Sequence, residues 1–372
     1  MDIYEELGVS KLINAAGTYT VVGGSRMSEI TLKAMQEAAN SHVSIRELQR
    51  RVGARIAELT HNEAAYITCG AAAGLYLAAA ACVAAKLGQA AATLTFQETS
   101  GCEVVVFKTH RNPYDWSLRQ LGVRITEVQC SGDGSAASKA DLANAITDHT
   151  IAVFYTLSGW LEEGALGLQD TVAVAESRGV PVIVDAAAQV PPVDNLWNFT
   201  KAGVTAAIFS GGKDLRGPQA SGLMVGKQWL VDILLEEAFP NSGIGRMLKV
   251  GREEIAGLFA AVKQYVNMDH VARAQWCGEQ IRLLKAAFVG ESGVIVERSF
   301  PNEAGQPLPR AIVRFADSQR NASEIANDLL NGSPAVYVKL AGKDGIYINP
   351  MTLAEGELAI VIERLRQVLK DS

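Results

Sequence analysis

Between about Glu63 and Val225 the chain alternates short apolar runs with helical patterns. Ala64 to Thr68, Glu103 to Lys108, Ile125 to Gln129, Ile151 to Thr156, Val180 to Asp185 and Ala206 to Ser210 read as strands. Ala72 to Leu87 and Tyr114 to Leu121 read as helices. Such alternation predicts an α/β domain with a mainly parallel sheet flanked by helices on both faces. In that layout ligands sit beyond the carboxyl ends of the strands. The residues there are Gly70 to Ala72, His110, Asp185, and Ser210 with Lys213.

The pattern changes from Gln228 onward. Gly251 to Met268 and Val271 to Val289 are long helical stretches. Val294 to Phe300, Arg310 to Phe315 and Ala335 to Leu340 are strand-like, and the helical Ala354 to Leu369 closes the chain. Asn302 to Pro309, rich in Pro, Gly and Asn, is a loop between two of these strands. The organisation expected is a large domain over 61–250, followed over 251–372 by a linking helix and a smaller α+β domain. The segment 1–60 is expected to pack with the small domain or with a partner subunit.

Composition narrows the function. A length of 372 residues suits one large and one smaller domain, and 48% hydrophobic with 20% charged residues is ordinary for a globular protein. The net charge of −6 argues against a nucleic-acid surface. The densest basic stretch, Arg46 to Arg55, is interleaved with Glu47 and apolar residues at helical spacing. Five scattered cysteines form no Cys-x-x-Cys pair, which speaks against a disulfide framework or a zinc site. The start Met1-Asp-Ile-Tyr-Glu-Glu lacks a basic, apolar signal. The most apolar run, Ala71 to Ala85, is shorter than the roughly 20 residues a membrane span needs. A cytoplasmic protein is expected, without a membrane or nucleic-acid partner.

Chemistry concentrates in Ala207-Ile-Phe-Ser-Gly-Gly-Lys-Asp-Leu-Arg-Gly-Pro-Gln-Ala-Ser-Gly222. An ordinary lysine, titrating near ~10.4, stays protonated, so one that attacks a carbonyl needs a confining, cofactor-lined setting. Gly211 and Gly212 let the backbone approach a flat ring, and Ser210 can donate to a phosphate. Alone, the stretch is also compatible with a surface lysine in a glycine-rich turn. Thr68-Cys-Gly-Ala-Ala-Ala-Gly74 would aim the amides of Gly70, Ala71 and Ala72 at a phosphate, although small residues also simply start a packed helix. Val182-Ile-Val-Asp185 ends an apolar strand in an acid, which is costly without a cationic partner. A protonated pyridine nitrogen is such a partner; a helix cap is the plainer alternative. His110, after another strand, is placed to stack on a ring. The combination points to pyridoxal 5'-phosphate.

These segments resemble those of fold-type I pyridoxal phosphate enzymes. Within that class they resemble the bacterial selenocysteine synthase-related group, most closely the D-glucosaminate-6-phosphate ammonia-lyases. Leu12-Ile-Asn-Ala-Ala-Gly-Thr18 is similar to the group's N-terminal Asn-Ala-x-Gly segment, and Ser210 to Gly222 to its lysine loop. Gly245-Arg-Met-Leu-Lys-Val-Gly-Arg252 is similar to the stretch that follows. The resemblance implies that Lys213 is the Schiff-base lysine and that Asp185 pairs with the pyridine nitrogen. It further implies that Gly70, Ala71, Ala72 and Ser210 hold the phosphate and that His110 stacks on the ring. This chain has Gly212 where related desulfurase-like enzymes have His, and Gln189 lies four residues after the acid rather than three.

The activity implied is α,β-elimination on a hydroxy amino acid, giving a 2-oxo acid and ammonia; the substrate is sugar-derived in the nearest resemblance. Racemisation, aldol cleavage and transamination stay open, with selenium transfer and non-catalytic sensing behind them. For a substrate carboxylate or phosphate the candidates are Arg46, Arg26, Arg252 and Arg314, with Arg314 first because it lies on a strand of the small domain. A homodimer or larger homo-oligomer is also implied.

Overall fold

The computed structural model describes residues 2–130, 136–161, 163–316 and 320–370, and the chain divides into two compact units. One comprises residues 27–268; the other comprises 1–26 together with 269–372.

The larger unit is built on a seven-stranded sheet. Its strands are β2 (Ala64–Thr68), β3 (Glu103–Phe107), β4 (Arg124–Val128), β5 (Thr150–Thr156), β6 (Val182–Asp185), β7 (Ala206–Ser210) and β8 (Gly222–Gly226); β1 (Leu12–Asn14) belongs to the other unit. The spatial order is β2-β8-β7-β6-β5-β3-β4. Only β8 is antiparallel to its neighbours, so all other strands end on the same edge. Alternation along the strands feeds two cores. Val105, Val153, Val184 and Phe209 face one of them, packed with Ile56 and Leu258 from helices Ile45–Leu59 and Arg252–Val266. Val104, Ala152, Ile183, Ile208 and Met224 face the other, beneath helix Ala71–Leu87. That helix is mostly alanine because it is buried nearly all round and must lie close to the sheet.

The smaller unit holds a four-stranded antiparallel sheet of order β12-β13-β10-β9. Its strands are β9 (Val294–Ser299), β10 (Arg310–Phe315), β12 (Lys339–Leu340) and β13 (Gly345–Ile348). A separate parallel pair joins β1 to β11 (Ala335–Tyr337), with Leu12 opposite Ala335. Helices His270–Ala287, Ala322–Asn331 and Glu357–Lys370 complete a core around Val313, Ile346 and Leu365.

The unit boundaries differ from the sequence expectation in two places. Residues 27–60 pack in the larger unit, because helix Glu29–Ala39 lies along Arg252–Val266 and helix Ile45–Leu59 lies on β2. Arg252–Val266 likewise belongs wholly to the larger unit. Strands β1, β8 and β13 were not foreseen, being short or glycine-bounded.

Candidate active site at the carboxyl edge of the large sheet

The strand ends gather the residues nominated from the sequence. Gly70 follows β2, His110 follows β3, Asp185 closes β6, and Ser210 closes β7 ahead of Lys213. β8 starts at this same edge, since Gly222 stands opposite both Thr68 and Ser210.

Two glycine positions set the local geometry. A Cβ on Gly222 would lie 2.5 Å from the Gly70 carbonyl carbon and 2.8 Å from the Ala71 nitrogen, so only glycine lets β8 begin against this turn. Gly70 itself has φ +148°, and no side chain caps the helix it begins. The first-turn amides of Ala71–Leu87 are therefore left for another acceptor. The second position is Gly212, where a Cβ would meet the Gln219 Cα at 2.7 Å and its Oε1 at 2.5 Å. A histidine before the lysine, as in the desulfurase-like enzymes, has no room here. The turn is closed by Gly211 N–H to Ser221 O (2.9 Å), Gly217 N–H to Gly211 O (2.8 Å) and Arg216 N–H to Lys213 O (3.1 Å).

Asp185 is 8% exposed, and its Oδ1 accepts the Ala187 N–H at 3.0 Å. No hydrogen bond is donated to Oδ2 by any described residue, and Asp185 lines a cavity of about 10 Å³ with Leu75, Asn112 and Thr156. That is room for about one water molecule. Burial pushes the carboxyl pKa up, while the Ala187 N–H and the charge of Lys213 pull it down. The coupling places the lysine within electrostatic reach of the acid.

His110 is 5% exposed, its ring edge-on to Tyr155 (4.5 Å between centroids) and to Phe107 (5.4 Å). Its Nδ1 accepts the Thr156 N–H at 3.3 Å, and burial lowers its pKa to about 4, so the ring is neutral. At the position where the sequence nominates a ring-stacking residue, the His110 ring is packed edge-on against two aromatic neighbours. Gln189 donates from Nε2 to the Leu157 carbonyl at 3.1 Å.

The nominated arginines differ in their partners. Arg314 is half-buried and donates to Glu297 (3.1 Å) and to Asp344 (3.1 and 3.2 Å), which occupy its fork. Arg26 is taken up by Glu357 (2.8 Å), and Arg252 donates to the carbonyls of Ala38 and Ala39 at the end of a helix. Arg46 donates from Nε to Asn241 Oδ1 at 2.6 Å and lines a cavity of about 690 Å³ with Arg50, Gln228, Asp232 and Glu236.

Sequence reasoning missed Arg310. Its guanidinium lies 3.6 Å over the Tyr347 ring, one nitrogen is 3.1 Å from Glu303, and its Nε is buried without a partner. The signal available was strand alternation, which puts Arg310 on the same face of β10 as Arg314. Asp214 was missed too. It is 1% exposed and accepts a hydrogen bond from the Tyr265 hydroxyl at 2.8 Å.

This donor set suits pyridoxal phosphate: free helix-start amides, a glycine-tight lysine turn, and a buried carboxylate with one oxygen open. Buried hydroxyls of Thr109 and Ser158, after β3 and β5, also lack partners. No group of His, Cys, Asp and Glu among the described residues could hold a metal, and no helix there is long and apolar enough to cross a membrane.

Comparison with known proteins agrees with this geometry. The chain is 31% identical over 99% of its length to D-glucosaminate-6-phosphate ammonia lyase of Salmonella typhimurium, covering 98% of that protein. It is 30% identical over 99% of its length to a 5'-C-glycyluridine monooxygenase-decarboxylase of Streptomyces sp, covering 92%. A solved D-glucosaminate-6-phosphate ammonia-lyase superposes with a TM-score of 0.85 at 29% identity, covering 100% of this chain and 99% of that one. A NifS-like protein shares the fold at a TM-score of 0.63 and 15% identity. Residues 12–286 match the family model SelA, described as L-seryl-tRNA selenium transferase. The chain is a fold-type I, pyridoxal phosphate-dependent enzyme and belongs to the SelA family.

Proposed function

We propose that the protein is an ammonia-lyase acting on a hydroxy amino acid of the sugar-derived class, such as D-glucosaminate 6-phosphate. The observation that carries this reading is end-to-end similarity to an ammonia-lyase, joined to Lys213 and Asp185 at adjacent strand ends. Gly70, Ala71, Ala72 and Ser210 would hold the phosphate of the cofactor, and Asp185 would face its ring nitrogen. Bound pyridoxal phosphate supplies an electron sink for charge that develops at the α-carbon of an amino acid. Lys213 takes the proton from that carbon, and its half-buried position limits competing water. The β-hydroxyl leaves as water, and hydrolysis of the released enamine yields the 2-oxo acid and ammonia. His110, neutral and fixed by its neighbours, serves as a wall of the site rather than as an acid or base.

For an anionic group on the substrate we assign Arg46 ahead of Arg314, because Arg46 keeps donors free. A homo-oligomer in the cytoplasm fits best. Ile3, Leu7 and Val21 in the smaller unit, and Ile30 and Val43 in the larger one, stand exposed as a second copy would require.

The test is incubation of the holoenzyme with phosphorylated and unphosphorylated sugar amino acids and with simple hydroxy amino acids. Stoichiometric ammonia and 2-oxo acid, without an acceptor keto acid, are expected. The monooxygenase-decarboxylase relative motivates a second reading, whose signature is oxygen uptake with carbon dioxide release. Exchange of the α-proton for deuterium without ammonia would point to a racemase.

A further inference from the structure

The turn that carries Lys213 packs against the helix Arg252–Val266 at several points. Gly257, Leu258, Ala261 and Tyr265 of Arg252–Val266 fall on one face at helical spacing. A Cβ on Gly257 would lie 2.8 Å from Pro218 Cγ, and one on Gly217 would lie 3.1 Å from Leu258 Cδ1 and 3.5 Å from Ala261 Cβ. At the other end of the turn the Tyr265 hydroxyl donates to Asp214 Oδ2 at 2.8 Å. Both residues are buried, Asp214 at 1% and Tyr265 at 3% exposure. Asp214 directly follows Lys213. Packing alone does not call for a carboxylate here, since an apolar residue of similar size would bury at lower desolvation cost.

We propose that Asp214, held by Tyr265, is a positioning residue that fixes the orientation of Lys213 and favours the protonated form of its nitrogen. The inference rests on the reading of Lys213 as the residue that carries the cofactor. Orientation follows from the backbone. Tyr265 anchors the Asp214 side chain, and the Arg216 N–H to Lys213 O bond holds the same peptide from the other side. The lysine side chain then leaves a turn pinned at two points. Protonation follows from charge, because a carboxylate one residue away favours the cationic nitrogen. Of the other charged groups, Asp185 at the end of β6 interacts with the charge of Lys213, and Arg216 lies on the turn itself. Asp185 acts with Asp214, and Arg216 acts against it.

Two conservative variants of the holoenzyme separate orientation from charge. Asp214→Asn keeps an oxygen for the Tyr265 hydroxyl and removes the charge; Tyr265→Phe keeps the charge and removes the anchor. The readout is the pH midpoint of the visible absorption of the cofactor joined to Lys213, together with kcat and KM at matched cofactor content. Asp214→Asn is expected to lower the midpoint by about one pH unit, the size of shift a neighbouring charge produces. Tyr265→Phe is expected to lower kcat about ten-fold with KM within about two-fold, the sign of an interaction that matters beyond ground-state binding. An unchanged midpoint in Asp214→Asn overturns the charge role, whatever the variant's thermal stability. Unchanged kcat in Tyr265→Phe overturns the anchoring role, whether or not Asp214→Asn folds. Wild-type protein without a visible band would instead overturn the cofactor assignment to Lys213.

Discussion

The lysine turn of the larger unit and the arginine face of β10 in the smaller one are built on opposite principles. Around Lys213 the backbone does much of the work, with glycines at 211, 212, 217 and 222 and main-chain hydrogen bonds that close the turn. On β10 the side chains do the work: Arg310 stacks on Tyr347 and pairs with Glu303, while Arg314 is shared by Glu297 and Asp344. A site made from backbone leaves glycines and strand ends in the sequence. A site made from charge leaves only arginines, which look alike until their partners are known. The lesson is that position can be read from the first kind of site, and role only after folding in the second.

The largest effect expected is from Lys213→Ala, which tests the first half of that contrast. The variant should lose the visible cofactor band and all measurable turnover while keeping the fold, as absorbance, borohydride trapping and circular dichroism would report. A cofactor fixed by borohydride on a different lysine would remove the lysine turn from the site altogether.

Next in size is Asp185→Asn. With the acid gone, nothing at the end of β6 keeps a ring nitrogen protonated, and turnover should fall by roughly 10²–10⁴, the range for loss of a directly acting proton-handling group. Cofactor content, read by absorbance, should stay within a few-fold of wild type. Turnover near the wild-type value would reduce Asp185 to a carboxylate that caps the Ala187 amide.

The arginines supply a sharper comparison. Arg46→Gln should lower kcat/KM by about 10–100-fold, the worth of a charge-assisted hydrogen bond to a ligand. Arg314→Gln should leave it unchanged, because that guanidinium is already committed to two carboxylates. The reverse ranking in steady-state kinetics would restore Arg314 to the place strand position suggested. The sequence order of preference and the order proposed from the partners differ for a physical reason. Strand position says which face a residue is on, but the acids that occupy its fork lie 17 and 30 residues away in the chain.

Much of the larger unit was legible because its strands are buried on both faces and read as short apolar runs. Ala64–Thr68 and Ala206–Ser210 fall where the pattern put them. β8 was not, since Gly222–Gly226 is bounded by glycine and reads as a continuation of the loop. Its antiparallel course between β7 and β2 is what brings Gly222 against the phosphate-side turn. Among the candidate site residues, Asp185 and Lys213 could be nominated from strand ends, spacing and resemblance. Asp214 could not, because its meaning depends on Tyr265, 51 residues further along the chain.

Gly212→Ala probes whether the turn has the tightness that makes it legible. A Cβ 2.7 Å from Gln219 Cα cannot be relieved by moving a side chain alone. The substitution should cost about 3 kcal/mol of stability, the upper part of the usual range for overpacking. It should also weaken cofactor retention. Urea unfolding that matches wild type would mean that the loop yields readily and that Gly212 is incidental.

The smallest effect concerns His110, the one nominated residue whose setting is side-chain packing on a backbone-defined edge. Burial lowers its pKa to about 4, against an ordinary value near 6.5 in the unfolded chain. The unfolded state therefore binds the proton more readily, and stability falls as the pH drops through the window from about 6.5 to about 4. Above that window the ring is neutral in both states and contributes no pH dependence. Between pH 7 and pH 5 the loss should be about 2 kcal/mol, from about 1.4 kcal/mol per unit of pKa displacement. His110→Gln keeps a side-chain acceptor for the Thr156 N–H and has no titrating group. It should unfold in urea with a pH 7 to pH 5 difference smaller than wild type by that amount, while losing little stability at pH 7. Equal slopes in the two proteins would show that the ring opens to solvent and charges in the folded state. That would make His110 an adjustable side chain on a backbone-built edge.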